Sequence, residues 1–219
     1  MNGAASQRNP TPRTHTDSVR FRLQRATQDL HRSVERHFAL AGRVWTEDAY
    51  RRLLQRLWGI YAPLEQALTP LDWQDTGIVM RDRRKLFWLN ADLSHLGMDQ
   101  KAIAQLEICG DLPCVDGPAA GLGALYVLEG STLGGQVILR TLQPQLGISP
   151  QAGGQFFASY GRDIGEKWRD YLAALEQFGE RPEAADTIEC AALDTFAAFD
   201  RWFSGHGLDR ATFDQRRHD

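Results

Sequence analysis

Cysteine is scarce in this sequence: Cys109, Cys114 and Cys190 are the three among 219 residues. An odd number in a chain of this length is no disulfide framework, and none of the three forms a CxxC pair. No histidine lies near Cys109 and Cys114 at zinc-ligand spacing. The thiols therefore read as reduced, which predicts a cytoplasmic protein. Histidine is nearly as sparse, with six residues. There is no HExxH and no paired Glu-x-x-His, which excludes the usual multi-ligand metal cages. Runs of alternating β-branched residues are missing, so strands are not expected. The longest apolar-rich stretch, residues 117–128, is too short to span a bilayer, and residues 1–7 lack the apolar segment of a secretory signal. No membrane insertion is expected. Basic groups are few and not interleaved with aromatics, which argues against a nucleic-acid partner.

What is present is an ordinary globular composition, with 42% hydrophobic residues and a net charge of −3. The length supports a full core, and the balance of charge and hydrophobicity argues against global disorder. The charge is unevenly spread. Residues 1–38 hold seven arginines against Asp17, Asp29 and Glu35, a net +4, and the rest of the chain carries −7. A basic segment on an acidic body suits an anionic ligand; a solvated helix face suits the same numbers.

Residues 1–16 lack apolar periodicity and read as a disordered tail. From there to residue 205 the chain reads as one all-α domain of six to eight helices, followed by a polar tail over 206–219. Leu23, Thr27, Leu30, Val34, Phe38 and Ala41 recur at helical spacing, with Asp17 or Ser18 as N-cap and Gly42 as stop. Thr46 caps a second helix through Tyr50, Leu53, Leu57 and Tyr61, which Pro63 is expected to kink or shorten. Further helices are expected over 80–96, 99–108, 119–142, 156–178 and 182–203.

Two constellations carry chemistry. His31 falls on the apolar stripe of the first helix, which predicts a buried imidazole, and Glu35 lies one turn later within its reach. A neutral imidazole ligates a metal through one nitrogen while the other is fixed by a carboxylate. A core histidine paired to Glu35 is the plainer account. Because the chain cannot build a cage, a metal here must bring most of its own ligands, as haem does. The second constellation is a long helical pattern interrupted by Gly130, Gly134 and Gly135, each costing about 1 kcal/mol relative to alanine. Gly130 and Gly134 bare one face of backbone, either for a neighbouring helix or for a flat ligand. A kink is expected there, with the Ser131 and Thr132 hydroxyls available to anchor water. Together the two helices would form opposite walls of a slot for a planar metallocycle.

These residues also resemble a known family. Leu23-Gln24-Arg25-Ala26-Thr27, followed by His31 and Glu35, resembles the opening of haem oxygenases. Leu125-Tyr126-Val127-Leu128-Glu129-Gly130-Ser131-Thr132-Leu133-Gly134-Gly135-Gln136 is similar to their distal helix, in the form found in the bacterial branch, including enzymes associated with bacteriophytochromes. Trp168-Arg169-Asp170-Tyr171-Leu172 and Thr195-Phe196-Ala197-Ala198-Phe199 match later helices more loosely. The resemblance implies an all-α fold that cleaves haem with O₂ and electrons from an external donor, such as a ferredoxin or a flavoprotein reductase. The products would be biliverdin, CO and ferrous iron, and the bilin would serve a phytochrome. It implies His31 as proximal ligand, Glu35 as its partner and Gly130 and Gly134 over the ring. Gly135 would lie beside them, with Arg169 near a propionate and Phe196 near the ring. Ser131 stands where the animal enzymes have an Asp that organises water. Gln24 stands where some members have a Lys for a propionate, which leaves that task to Arg22, Arg25 or another group. The alternative is a haem-binding or haem-transfer protein without turnover. The cluster Arg81, Arg83, Arg84 and Lys85 is either a solvated helix start or a dock for an acidic electron donor.

Overall fold

A computed structural model describes residues 18–38 and 44–205. The expected tails, and the stop at Gly42, lie outside the described residues. Among the described residues there are eight α-helical segments and no strand. They are α1 (Val19–His37), α2 (Glu47–Leu68), α3 (Leu86–His95), α4 (Gln100–Ala104), α5 (Pro118–Leu146), α6 (Gln155–Ala158), α7 (Ile164–Phe178) and α8 (Pro182–Ser204). The all-α expectation is met.

Local signals account for most boundaries. Ser18 caps α1 through the Phe21 N–H, Thr46 caps α2 through Ala49, and Asp99 caps α4 through Ala102. Gly147, in the left-handed region at φ 68°, ends α5. Pro63 does not shorten α2, which continues to Leu68. The helix expected to begin at Met80 begins at Leu86 instead. Met80–Arg83 is a 3₁₀ turn, Arg84 is extended, and the Glu65 carboxylate accepts the Lys85 and Leu86 N–H groups to start α3 there. The pattern over 156–178 is likewise broken, because Ser159 adopts a positive φ between α6 and α7.

Helix α5 is the spine. By length and composition it is apolar enough to cross a membrane, contrary to the sequence estimate, but 56% of its apolar window is buried inside the fold. It packs most extensively on α8, which in turn packs on α1. The α5–α8 contact depends on Gly123: a Cβ there would lie 2.7 Å from the Ala191 Cβ and against the Ile188 carbonyl. Because one side of that contact is backbone, Gly123→Ala is expected to destabilise the fold by about 1–3 kcal/mol, measured by denaturant unfolding.

The α1–α8 contact ends in a polar clamp. Ser33 donates to the Asp200 Oδ1 at 2.6 Å, and His37 Nε2 lies 2.9 Å from the same oxygen. Burial alone would raise the Asp200 carboxyl, but these bonds, with Arg36 nearby, hold it below its usual range. A depressed folded value stabilises above the unfolded value and is lost as pH falls through the folded one. Between about pH 5 and pH 3 the thermal midpoint of the wild type should therefore fall more steeply than that of Asp200→Asn. Parallel slopes would contradict the assignment.

Candidate active site

A cavity of about 740 Å³ lies between α1 and α5, within the size range of small-molecule and cofactor sites. Its α1 wall includes His31 and Glu35, and its α5 wall includes Gly130, Ser131 and Gly134. Phe196 and Phe199 of α8 and Trp168 of α7 complete an aromatic lining.

His31 is not buried in the core, as its stripe position suggested: 53% of its side chain is exposed, and it lines the cavity. A helical stripe covers both core and cavity, since each is a gap between helices. The imidazole meets Phe196 edge-on, with ring centroids 5.6 Å apart. Glu35 Oε1 is 3.6 Å from His31 Nδ1, close enough for attraction but beyond a hydrogen bond. Phe196 itself is buried and touches the Tyr126 ring.

The glycines divide into two kinds. A Cβ on Gly134 would meet nothing within 4 Å, and one on Gly130 would meet only the Trp168 ring at 3.8 Å. These two bare a face that opens on the cavity. Gly135 differs, because its Cβ would lie 2.7 Å from the Phe157 carbonyl oxygen. Although it borders the cavity, its missing side chain makes room for α6. The plain packing account applies to it and the ligand account to its neighbours.

Ser131 is held in place. Its hydroxyl lies 2.8 Å from the Leu128 carbonyl and 2.8 Å from the Tyr61 hydroxyl. With one proton to give, Ser131 donates to Leu128 and accepts from Tyr61. Burial pushes the Tyr61 phenol well above its usual range, so it remains a donor at neutral pH.

Three expectations are corrected. Arg169 is exposed and does not line the cavity; its neighbour Trp168 does, one residue earlier on the helix. Arg22 is tied to Asp186 at 2.8 Å and Glu189 at 3.0 Å, and Arg25 does not line the cavity. Arg20, Gln24, Gln28 and Arg32 do. The basic cluster is split, with Arg81 and Arg84 exposed. Arg83 and Lys85 are buried, at 6% and 1% exposure, and both bind Glu129.

The sequence reading also missed Tyr61, Tyr126, Trp168 and Phe199, all of which line the cavity. Their spacing is that of core residues, although Tyr126, Trp168 and Phe199 lie within the motifs that carry the resemblance, and Tyr61 lies on the apolar stripe of α2.

The arrangement fits haem. Among the described residues no group of three or more His, Cys, Asp or Glu is placed to hold a metal ion, and one imidazole faces a backbone cradle across an aromatic slot. The family model for haem oxygenase matches residues 18–205. The chain belongs to the haem oxygenase family. A haem oxygenase of Xanthomonas campestris pv. campestris is 33% identical over 155 residues, covering 69% of this chain and 87% of that one. The fold is shared with solved haem oxygenases. The Neisseria meningitidis enzyme, bound to NO and CO, superposes with a TM-score of 0.71 at 19% identity, covering 88% of this chain and 95% of that one. The Leptospira interrogans enzyme gives 0.69 at 18% identity, covering 86% and 99%. Haem oxygenase-1 of Synechocystis, in complex with haem, gives 0.69 at 18% identity, covering 89% and 96%. Family membership makes the chain an oxidoreductase that degrades haem.

Proposed function

We propose that this chain cleaves haem with O₂ and electrons from an external donor, releasing biliverdin, CO and ferrous iron. The observation that carries this is the cavity-facing imidazole of His31, the one such group among the described residues, opposite the bare backbone at Gly130 and Gly134. Bound haem supplies the iron that activates oxygen and the ring that is cleaved.

The residues supply position. His31 would hold the iron, with the Phe196 ring edge fixing its plane and Glu35 steadying Nδ1. The glycine face would bring backbone close to the bound group and crowd whatever lies between. Ser131, its proton committed to Leu128, keeps a lone pair for a water and does not act as an acid. Glu35 is the one carboxylate among the described lining residues, so the α5 wall offers no charged acid. This favours orientation over acid–base chemistry at that wall. Arg20 and Arg32, which line the cavity where Arg22, Arg25 and Arg169 do not, would meet the haem carboxylates.

A ferredoxin or a flavoprotein reductase suits the electron supply, the cytoplasm suits the free thiols, and a bilin-binding phytochrome suits the product. The test is to reconstitute the purified chain with haem and add O₂ and a reductant. Loss of the Soret band with chromatographic appearance of biliverdin is expected. Haem that persists unchanged would overturn turnover and leave a haem-binding or haem-transfer protein.

A further inference from the structure

Next to the cavity lies a buried ionic cluster that the chemistry above does not use. Glu129 is 1% exposed and directly precedes Gly130. Its Oε1 accepts from Lys85 Nζ at 2.5 Å and from the Tyr160 hydroxyl at 2.9 Å. Its Oε2 accepts from Arg83 Nη1 at 2.9 Å, and that guanidinium also reaches the Lys167 carbonyl at 2.7 Å. Lys85 spends its other donors on the Arg83 carbonyl and the Tyr160 oxygen. Lys85 also borders the cavity, and every polar atom named here is partnered within the cluster or on backbone, which holds the geometry.

The cluster is one end of a longer grip on α5. Gly135 seats the Phe157 carbonyl, Gln136 donates to the Ala158 carbonyl at 3.0 Å, and Tyr160 reaches Glu129. Near neighbours on one short segment thus hold one face of α5, while Gly130 and Gly134 form the face toward the cavity. The segment itself is anchored: Asp92, fully buried on α3, accepts the Gln155 and Phe156 N–H groups at 2.9 and 2.8 Å. Ser159 at φ 49° and ψ −128° turns the chain so that Tyr160 follows it onto the cluster, a strained conformation that the surroundings must enforce.

We propose that Glu129 is a positioning residue: through Arg83, Lys85 and Tyr160 it sets how far the Gly130–Gly134 turn stands into the cavity, and hence which edge of the bound ring is attacked. This rests on the haem-degrading reading above. An apolar cluster of the same volume would fill this space with less desolvation. What charge adds is direction, because three hydrogen bonds to one carboxylate fix the helix in rotation and in height, which packing alone leaves free to slide.

The experiment uses the full chain reconstituted with ferric haem. Tyr160→Phe removes one hydroxyl and keeps both ion pairs; Glu129→Gln keeps the shape and removes the charge. Two readouts are taken: the high-spin to low-spin balance in the ferric absorption spectrum, and the ratio of biliverdin isomers after turnover. Tyr160→Phe should change the minor-to-major isomer ratio at least about tenfold, the lower end of the weight of one hydrogen bond to a charged group, and shift the spin balance. Glu129→Gln should do more, and if it fails to fold, Tyr160→Phe decides alone. Leu175→Ala, a core change on α7 away from the cavity, should lower stability and leave both readouts as in the wild type. A Tyr160→Phe protein with wild-type spectrum and isomer ratio overturns the proposal, as does a Leu175→Ala protein that shifts them equally. A wild type that leaves haem intact overturns instead the haem-degrading reading on which the proposal stands.

Discussion

Replacing His31 with alanine should reduce haem turnover by at least on the order of 100-fold, because it deletes the one imidazole among the described residues that line the cavity. The fold should hardly notice. The imidazole is 53% exposed, touches Phe196 only by a ring edge, and lies 3.6 Å from Glu35. Loss of such a side chain falls within about 0.5 kcal/mol of stability. Absorption spectroscopy of the ferric haem complex should show altered ligation, and added imidazole, small enough to occupy the space left behind, should restore part of the wild-type spectrum and turnover. A variant with unchanged spectrum and turnover would refute the ligand assignment. A variant that unfolds would return His31 to the structural role that its stripe position first suggested. Glu35→Ala should cost much less, since its carboxylate is too far for a hydrogen bond and 65% exposed.

The reach of the sequence can be judged from these same helices. Periodicity and caps placed α1, α2, α5, α8 and the start of α4, which ends at Ala104 rather than near residue 108, because these boundaries rest on neighbours within four residues: Ser18 with Phe21, Thr46 with Ala49, Asp99 with Ala102. The start of α3 was misplaced because it depends on Glu65, twenty residues earlier. Half of the basic cluster was misread for the same reason. Arg83 and Lys85 look solvated until Glu129, more than forty residues later, is folded against them. Arg169 stands one residue from the lining Trp168, since a loose motif fixes the helix but not which of two neighbours turns inward. The glycines were legible as a group and not as individuals. Sequence shows that Gly130, Gly134 and Gly135 are costly in a helix; only the neighbouring carbonyl of Phe157 shows that one of them is used for packing.

That division yields a paired prediction, in which two adjacent and chemically identical substitutions have opposite outcomes. Gly134→Ala adds a methyl where, outside its chain neighbours and the adjoining turns of its own helix backbone, no described atom lies within 4 Å. The chain without haem should gain stability, up to about 1 kcal/mol, from the better helix propensity of alanine. The same methyl enters the space between the α5 backbone and the bound ring. If backbone contact with the ring is what this wall provides, the intrusion should cost haem affinity or turnover about 10–100-fold. Gly135→Ala drives its methyl to 2.7 Å from the Phe157 carbonyl, which is backbone at the end of α6 and cannot swing aside. It should destabilise the chain by about 1–3 kcal/mol before any haem is added. Denaturant unfolding of the haem-free proteins, followed by haem titration and single-turnover absorbance, separates the two effects. If Gly134→Ala binds and degrades haem as the wild type does, the bare face of α5 is not the wall of the reaction site. If both variants are equally destabilised, the glycines serve helix packing alone. The combination expected here, a more stable Gly134→Ala with impaired haem chemistry beside a less stable Gly135→Ala, arises only if α5 uses one face to hold its place and the other to meet the ring.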